Sequence, residues 1–535
     1  MRRPRAAISS GGHQAQKDTN HFEYDSVSVN ILLITADQLR ADSLGVYGNA
    51  ICKTPNLDRL ASEGTRFTAC RCQNPYCQPS RATILTGTYP STHGVTTTGV
   101  DLPADMINRS VSAHLTSKGF RTALFGKGHF ASAFPTYPTR QVESVEGSAL
   151  VAPEWFGPYA GFEHVELVLF GHNIRLAPGM GSWRWCFGPP PFGLHYARWL
   201  YRDGDKRGRE RLRLMQPEAS KQHVEKIQTW HSALPAEDHT STWIADRAVG
   251  WLKRIEQPFF AWVSFCDPHQ PMDPPAPWST LYSPADVASA LPELKPGELD
   301  NKPPAHAAWA AGLGGTALEW ANPGGANLKP EGLAIMTAAY YGMVGLIDAQ
   351  VARILRALEE RGLASDTLVI FTSDHGALLG EHGQVFKGPV HYEELLRVPL
   401  IVRGEGYSAG SVIDEPVGLV DLAPTMLDAV EVETPDWMEG RPLLEGPREY
   451  VLTENDHEAG FRVSLRTLTT KRYKITRYVG REGVGELYDL QEDPHELINL
   501  WGSEDHWQVR SELLALIDET ANRSVRAEPR VSIIG

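Results

Sequence analysis

Short apolar runs alternate with longer amphipathic stretches along this chain. Five of these runs are rich in β-branched and aromatic residues, the pattern of strands buried on both faces; they span residues 29–35, 121–125, 259–265, 367–373 and 398–402. Between them, residues 240–255 and about 332–361 repeat apolar positions with a helical period. The alternation predicts an α/β fold, with a large mixed, mainly parallel sheet flanked by helices.

Polar side chains follow four of the five runs, at the point where each predicted strand ends. They are Asp37 and Gln38, then Lys127 and His129, then Asp267 and His269, and finally Asp374 and His375. The carboxyl ends of parallel strands share one edge of a sheet, and α/β proteins build their sites at that edge. The pattern therefore predicts one site that combines acids, an amide, imidazoles and an ammonium group.

The pattern changes near residue 445. Four short strands separated by polar turns are predicted at 450–453, 462–468, 473–478 and 486–490, and a final helix at about 505–520. We interpret the chain as a disordered tail (1–27), a catalytic α/β domain (28–440) and a smaller C-terminal α+β subdomain (441–535). Two stretches, 178–235 and 270–330, fit neither pattern and are predicted to be insertions near the site edge, where such loops set specificity.

Composition narrows the classes of function. The 535 residues carry a net charge of −14, which argues against a general affinity for nucleic acid or for anionic membranes. No run is expected to reach the roughly 18 apolar residues of a membrane helix. The basic start, Met1 to Arg5, is not followed by the apolar stretch of a signal peptide, so a cytoplasmic location is expected.

Cys77, in the stretch Asn74 to Gly87, is the most informative of the six cysteines. A disulfide is disfavoured by the sparse cysteine content, and a zinc site by the spacing of Cys70, Cys72 and Cys77. A thiol nucleophile at the start of a short helix, Ser80 to Leu85, remains open, as does an inert buried thiol.

The combination of motifs resembles the type I sulfatases of the alkaline phosphatase superfamily. The stretch Cys77-Gln78-Pro79-Ser80-Arg81 is similar to that family's signature, in which the cysteine is oxidised to formylglycine. Further matches follow in the family's order: residues 30–38, 53–61, 126–129, 372–376, 379–383, 387–389 and 487–496. The resemblance implies the fold predicted above and covers residues 29 to about 500.

The resemblance also implies one divalent cation, held by Asp37, Gln38, residue 77, Asp374 and His375. Two carboxylates and an amide suit a hard ion, Ca²⁺ first and Mg²⁺ as an alternative. The family usually has a second aspartate where Gln38 stands and often an asparagine where His375 stands. One carboxylate fewer and one imidazole more make Mn²⁺ admissible as well.

The catalytic roles implied by the resemblance centre on Cys77. Once converted by a formylglycine-generating enzyme, which reads Pro79 and Arg81, residue 77 hydrates to a diol whose one hydroxyl attacks sulfur and whose other hydroxyl then expels sulfate. Arg81 is expected to steady the diol, Lys127 and Lys387 to bind sulfate oxygens, His129 to act as the base, and His269 to protonate the leaving oxygen.

Three functions compete at this point. The first is hydrolysis of a small anionic sulfate ester, the second is a phosphonate monoester hydrolase or phosphodiesterase of the same superfamily, and the third is an inactive binding protein, which no residue supports. The resemblance favours the first, because the phosphonate hydrolases carry hydroxyl residues where Lys127 and His129 stand. For His93 and His382 a structural role competes with a role in the site, and the basic run at 206–213 is interpreted as a solvated helix face. The alcohol released stays open, and a homo-oligomer is compatible with the sequence.

Overall fold

The computed structural model describes residues 29–169, 175–176, 184–185, 194–201, 210–211, 214, 221–224, 227–256, 258–313, 325–446, 448–458, 462–521 and 525–532. The predicted tail at 1–27 lies outside these residues. Most of the predicted insertion at 178–235, with most of its basic run, and residues 314–324 of the second insertion also lie outside them.

The described strands form one large sheet, one four-stranded sheet and several two-stranded pairs. The strands are β1 Asn30–Asp37, β2 Thr65–Phe67, β3 Cys70–Arg71, β4 Arg121–Gly126, β5 His164–Leu167, β6 Arg175–Leu176, β7 Arg184–Trp185, β8 Lys221–Val224, β9 Thr229–His231, β10 Phe259–Pro268, β11 Thr367–Ser373, β12 Leu378–Leu379, β13 Val385–Phe386, β14 Leu400–Arg403, β15 Ser411–Ile413, β16 Val417–Gly418, β17 Tyr450–His457, β18 Val463–Thr470, β19 Tyr473–Tyr478 and β20 Gly485–Asp489.

The described helices cover the large sheet and pack on the smaller one. They are α1 Pro55–Glu63, α2 Cys77–Thr86, α3 Pro90–His93, α4 Ala104–Asn108, α5 Val111–Ser117, α6 Val145–Leu150, α7 Leu194–Tyr201, α8 Thr240–Leu252, α9 Pro284–Val287, α10 Pro304–Ala310, α11 Pro330–Glu360, α12 Glu393–Leu396, α13 Leu422–Asp428 and α14 Trp507–Ala521.

The large sheet has the strand order β15-β2-β14-β11-β1-β10-β4-β5. Its centre is parallel: β1 pairs in parallel with both β10 and β11, and β10 pairs in parallel with β4. Every residue of β1, β10 and β11 is buried, which is why these segments read as continuous apolar runs without alternation. The predicted α/β fold with a mainly parallel sheet is confirmed.

One strand of the predicted parallel set runs the other way. The run at 398–402 forms β14, which pairs antiparallel with β11. Between the two strands the chain makes the hairpin of β12 with β13 and the four-residue helix α12, and it stays at the carboxyl edge of the sheet. A strand that re-enters from the edge where the previous one left must be antiparallel, because a parallel return needs a long crossover.

Two apolar layers enclose the sheet. One side packs against α8 and α11, and the other packs against α2, α5 and α13. Helix α11 is the one described helix that has the length and hydropathy of a membrane span, contrary to the expectation that no segment reaches them; 78% of its apolar window is buried inside the fold.

The C-terminal strands β17 to β20 form an antiparallel meander in chain order. Leu468, Ile475 and Leu487 of this sheet pack against Leu513 and Ile517 of α14. The predicted four strands and final helix are confirmed. The boundary proposed at residues 440 and 441 remains a prediction.

Gly126, the last residue of β4, lies where two strands approach closely. Its φ is +101°, and a Cβ added there would lie 2.0 Å from the carbonyl oxygen of Ser264. Gly119 has a similar φ of +91°, but nothing lies within 4 Å of the corresponding position. An alanine at Gly119 would therefore add backbone strain alone, whereas an alanine at Gly126 would add the same strain and a steric clash.

We expect Gly119→Ala to lower the free energy of unfolding by about 1–2 kcal/mol, the cost of a left-handed residue with a Cβ. Gly126→Ala should cost a further ~1–3 kcal/mol, because the strands must move apart. Urea unfolding of both variants measures the difference. Equal losses would contradict the close approach of β4 and β10.

Candidate active site

Four strand ends bring the predicted residues together. Because β10, β1 and β11 are adjacent and parallel, their carboxyl ends place His269, Asp37 and Asp374 at one edge. The neighbouring β4 ends one residue before Lys127. The side chains of Asp37 and Asp374 are completely buried.

Cys77 lies under this edge, as the first residue of α2. The predicted helix at 80–85 therefore begins three residues earlier, and Cys77 lies at its positive end. Its Sγ atom lies 2.8 Å from Lys387 Nζ, 3.1 Å from His375 Nε2 and 3.4 Å from Asp37 Oδ1. Burial opposes ionisation of the thiol, but Lys127, Lys387 and His375 hold the pKa of Cys77 well below its usual range.

A metal-ligand set surrounds this sulfur. One ligand atom from each of Asp37, Cys77, Asp374 and His375 lies within 4.8 Å of the others, and all four residues are buried. His375 Nδ1 donates to the carbonyl oxygen of Gly376 at 2.8 Å, which fixes the tautomer and leaves Nε2 as an acceptor. Burial and the charge of Asp37 raise the pKa of Asp374, whereas the charges of Lys127, His269 and Arg81 lower the pKa of Asp37.

Gln38 completes the set through a strained backbone. Its φ is +66°, uncommon for a residue with a side chain. The backbone N–H donates to Asp374 Oδ1 at 3.0 Å, and Nε2 donates to Gln270 Oε1 at 2.9 Å. The remaining atom, Oε1, is buried without a hydrogen-bond partner among the described residues. An unpaired buried carbonyl beside two carboxylates fits a divalent cation.

Arg81, one helical turn after Cys77, is fully buried. Its Nε donates to Asp374 Oδ2 at 2.8 Å, and Nη1 donates to the carbonyl oxygen of Lys127 at 2.8 Å and to Ser264 Oγ at 2.7 Å. Its Nη2 has no hydrogen-bond partner within the described part of the chain. The guanidinium is therefore fixed on one side and has a donor left for an anion.

Lys127 and His129 lie in the turn after β4. Lys127 Nζ forms a buried ion pair with Asp37. His129 is held by its backbone N–H, which donates to the buried carboxylate of Glu143, as do those of Phe130 and Ala131. Burial and the neighbouring charge of Lys127 lower the pKa of His129 to about 4. A neutral imidazole of this kind is able to accept a proton.

His269 and Lys387 lie on the more open side of the cluster, where both are half-buried. His269 Nδ1 donates to the carbonyl oxygen of Gln270 at 2.7 Å, so its Nε2 faces Lys387 Nζ at 3.2 Å. Lys387 Nζ also lies 3.3 Å from His375 Nε2. These two side chains are the ones best placed to meet a molecule that enters from solvent.

The structure brings all the predicted site residues into one cluster and leaves two other histidines outside it. His93 contacts Thr83 Oγ1 at 3.1 Å, and burial lowers its pKa to about 3. His382 stacks on Tyr392 at a ring distance of 3.6 Å and bonds Glu298 at 2.6 Å. Both have the contacts of structural residues.

Sequence reasoning missed three residues that orient the cluster. Gln270 aligns the amide of Gln38, and its position beside His269 was the signal for it. Glu143 supports His129, and Ser373 Oγ donates to the carbonyl oxygen of Ala36 at 2.7 Å and accepts from the N–H of Leu39 at 2.9 Å. No local motif distinguishes Glu143 from any other glutamate.

Comparison with known proteins places this geometry in a family. The sequence profile of the family named Sulfatase matches residues 29–432, which is most of the chain. The chain belongs to the sulfatase family. A second profile, N-sulphoglucosamine sulphohydrolase, C-terminal, matches residues 380–523 of this sulfatase.

Individual relatives of the sulfatase fall in two groups. It is 30% identical over 504 residues to an arylsulfatase of Clostridium perfringens, covering 89% of this chain and 91% of that protein. It is 28% identical over 505 residues to the multifunctional alkaline phosphatase superfamily protein PehA of Trinickia caryophylli, covering 88% and 91%. Among solved structures, the phosphonate monoester hydrolase of Agrobacterium radiobacter aligns with a TM-score of 0.71 at 26% identity, covering 92% and 96%.

The family and its arylsulfatase relatives identify this protein as a sulfatase enzyme. The suspected resemblance is thereby confirmed. Sulfatases generally use a metal and a formylglycine, and the cluster of Asp37, Cys77, Asp374 and His375 offers a place for both.

We expect Asp374→Ala to abolish binding of a divalent cation, because it removes a ligand and leaves Arg81 without its partner. The matched control is Asp348→Ala, since Asp348 is also a buried carboxylate but accepts from the N–H groups of Asn56 and Leu57 at 3.1 and 2.8 Å. That control should lose stability but keep the cation. Elemental analysis and calorimetric titration with Ca²⁺, Mg²⁺ and Mn²⁺ measure the cation content and affinity of both variants. Full cation content in Asp374→Ala would exclude this site.

Proposed function

We propose that this sulfatase cleaves a small sulfate monoester to an alcohol and sulfate, with a formylglycine made from Cys77 and one divalent cation. The observation that carries the proposal is the ring of cationic and imidazole groups around residue 77: Lys387 Nζ at 2.8 Å, His375 Nε2 at 3.1 Å, and Arg81, Lys127 and His129 beside them. Three charged oxygens of a sulfate group suit such a ring.

Two groups would complete the site. A formylglycine at position 77 supplies a hydrated aldehyde, with one hydroxyl as the nucleophile towards sulfur and a second that allows sulfate to be expelled. A cation held by Asp37, Gln38, Asp374 and His375 supplies charge for the nucleophile and for a sulfate oxygen; Ca²⁺ suits the oxygen ligands, and Mg²⁺ or Mn²⁺ are alternatives.

The fixed cations of the chain hold the anionic end of the ester. Lys127, directly after β4, and Lys387, directly after β13, both face residue 77; Lys127 pairs with Asp37, and Lys387 Nζ lies 2.8 Å from Cys77 Sγ. Arg81 offers its unpaired Nη2. Because these groups are positioned before the substrate binds, they stabilise developing charge without reorganising.

The two histidines divide the proton transfers. His129 is buried and its pKa is lowered to about 4, so it is neutral and accepts a proton from the hydroxyl that stays on residue 77. His269 is half-buried at the solvent side, and its Nε2 faces Lys387 Nζ at 3.2 Å; a proton held at this nitrogen would pass to the leaving oxygen. His269 thus donates a proton when the alcohol leaves, and His129 accepts one when sulfate is expelled.

A phosphonate monoester hydrolase or phosphodiesterase is the second candidate. The likeness to the Agrobacterium radiobacter enzyme favours it, as do Gln38 and His375 at the proposed metal site. Lys127 weighs against it, because a sulfate monoester presents three non-bridging oxygens to a fixed ammonium group, whereas a phosphodiester presents two and carries a second bulky group. Rates on an aryl sulfate, a phosphonate monoester and a phosphodiester, measured side by side, discriminate between the two.

We expect active protein to carry an aldehyde at residue 77 and a free thiol at residue 72. Cleavage after Arg71 and after Arg81 yields one peptide that contains both cysteines, so Cys72 serves as an internal control. Cys77 should react with a hydrazine probe, and Cys72 should react only with a thiol alkylating agent. Mass spectrometry of this peptide gives the result; two alkylated cysteines in fully active enzyme would exclude the conversion.

We expect Lys127→Ala to lower kcat/KM on sulfate monoesters by about 10²-fold, the usual cost of losing one charge-stabilising donor. The loss on phosphodiesters should be smaller, since a diester presents fewer charged oxygens. Lys253→Ala, at an exposed lysine, is the control. Lys127→Ala also removes the ion-pair partner of Asp37 and could weaken cation binding. Assays at saturating cation therefore isolate the effect of the lost ammonium group on the substrate. Unchanged sulfate hydrolysis, together with faster diester hydrolysis in the parent enzyme, would favour the phosphonate hydrolase.

A further inference from the structure

A second cluster of buried charges lies between the C-terminal sheet and residues 378–396, a segment that we call the lysine loop because it carries Lys387. Its members are each at most 9% exposed: Glu298, Lys302, His306, His382, Tyr392, Glu393, Lys474, Glu486 and Glu496. None of them takes part in the sulfate chemistry proposed above. Burying so many charges is costly, and in some proteins such clusters are kept because they fix one arrangement of the chain.

Tyr392 of the lysine loop is the centre of this cluster. Lys302 Nζ donates to its hydroxyl at 3.1 Å, and the hydroxyl lies 2.6 Å from His306 Nδ1. His306 Nε2 in turn donates to Glu486 Oε1 at 3.0 Å. On the other face of the ring, His382 stacks at 3.6 Å. A directed chain of hydrogen bonds thus links the lysine loop to β20.

The C-terminal sheet and the turn after β20 hold this chain of contacts in place. Glu486 also accepts from the hydroxyls of Tyr478 and Tyr488, at 2.8 and 2.7 Å, so its carboxylate is rigidly held. Glu496, in the turn after β20, accepts from the N–H of Glu393 at 2.7 Å, and its carbonyl oxygen accepts from Lys302 at 2.7 Å.

The same loop forms one wall of the active site. It places Lys387 Nζ 2.8 Å from Cys77 Sγ. Next to it, a Cβ on Gly388 would lie 2.3 Å from Trp309 Nε1, so the backbone packs directly on that ring. The far end of the loop is bonded to the turn after His375, through the N–H of Gly376 to the carbonyl oxygen of Leu395 at 2.8 Å.

We propose that the chain of contacts from Glu486 through His306 to Tyr392, with Lys302 and Glu496, positions Lys387 over residue 77. These are positioning residues, because they touch neither residue 77 nor the metal ligands. The inference rests on the proposed function in that Lys387 binds the charged oxygens of the ester. It also gives a physical role to the motif at 487–496, which the chemistry of the site left unexplained.

The test is a double-variant cycle. We expect Tyr392→Phe, which keeps the ring under His382 but removes the hydroxyl, to lower kcat/KM about tenfold through misplacement of Lys387. In a Lys387→Ala background the same change should cost less than about twofold, because two residues that act as one unit are not additive. Losses that multiply would overturn the proposal.

Tyr47→Phe is the matched control. The hydroxyl of Tyr47 also has several hydrogen bonds, donating to or accepting from Phe67 and Leu400 at 2.8–3.0 Å, but it lies at the edge formed by β2 and β14. It should lower the melting temperature as Tyr392→Phe does, and leave kcat/KM within about twofold of the parent. An equal loss of activity in this control would show that stability alone is being measured.

A crystal structure of Tyr392→Phe gives a readout that does not depend on the substrate. Lys387 Nζ should move out of hydrogen-bond distance of residue 77, while Asp37 and Asp374 stay in place. An unmoved Lys387 would overturn the positioning role. Absence of sulfate hydrolysis in the parent protein would instead contradict the proposed function, and the displacement of Lys387 would still decide this inference.

Discussion

The fold is organised around two carboxylates buried side by side. Asp37 and Asp374 end adjacent strands, are fully inaccessible, and have ligand atoms within 4.8 Å of each other. Two like charges at that separation repel by roughly 3 kcal/mol at an effective dielectric constant of 20, and burial adds a larger penalty. Arg81 and Lys127 compensate one carboxylate each. The buried Oε1 of Gln38 has no hydrogen-bond partner among the described residues, and such an acceptor beside two carboxylates suits a cation.

The same constraint accounts for the irregular backbone at the strand ends. Gln38, directly after β1, and His129, three residues after β4, have φ values of +66° and +60°. Such conformations persist only where surrounding contacts hold them. For Gln38 the contacts include Tyr340, whose hydroxyl donates to its carbonyl oxygen at 2.7 Å, and for His129 they come from Glu143. Parallel strands place the chain at the edge, and these turns then direct the side chains towards residue 77.

Much of this was readable from the sequence, because buried strands and the polar residues after them leave a local pattern. Runs such as 367–373 coincide with their strands, and the residues that follow them meet as predicted. Strand direction was harder to predict. β14 is a short apolar run like the other strands, and it is antiparallel only because of the path that the preceding loop takes. The orienting residues were hardest to predict. Glu143 acts through backbone N–H groups in a turn 12 to 14 residues before it, and nothing in its own neighbourhood marks it.

The contacts of Lys127 tie the charge around residue 77 to the charge around Asp37. This lysine faces residue 77 and also forms a buried ion pair with Asp37, so one ammonium group adds positive charge at both places. Removing that group takes away both contributions at once. Arg81 cannot substitute, because its Nε is already bound to Asp374. A neutral residue at position 127 therefore requires a second change that restores positive charge near Asp37, since a buried carboxylate that has lost its partner is costly.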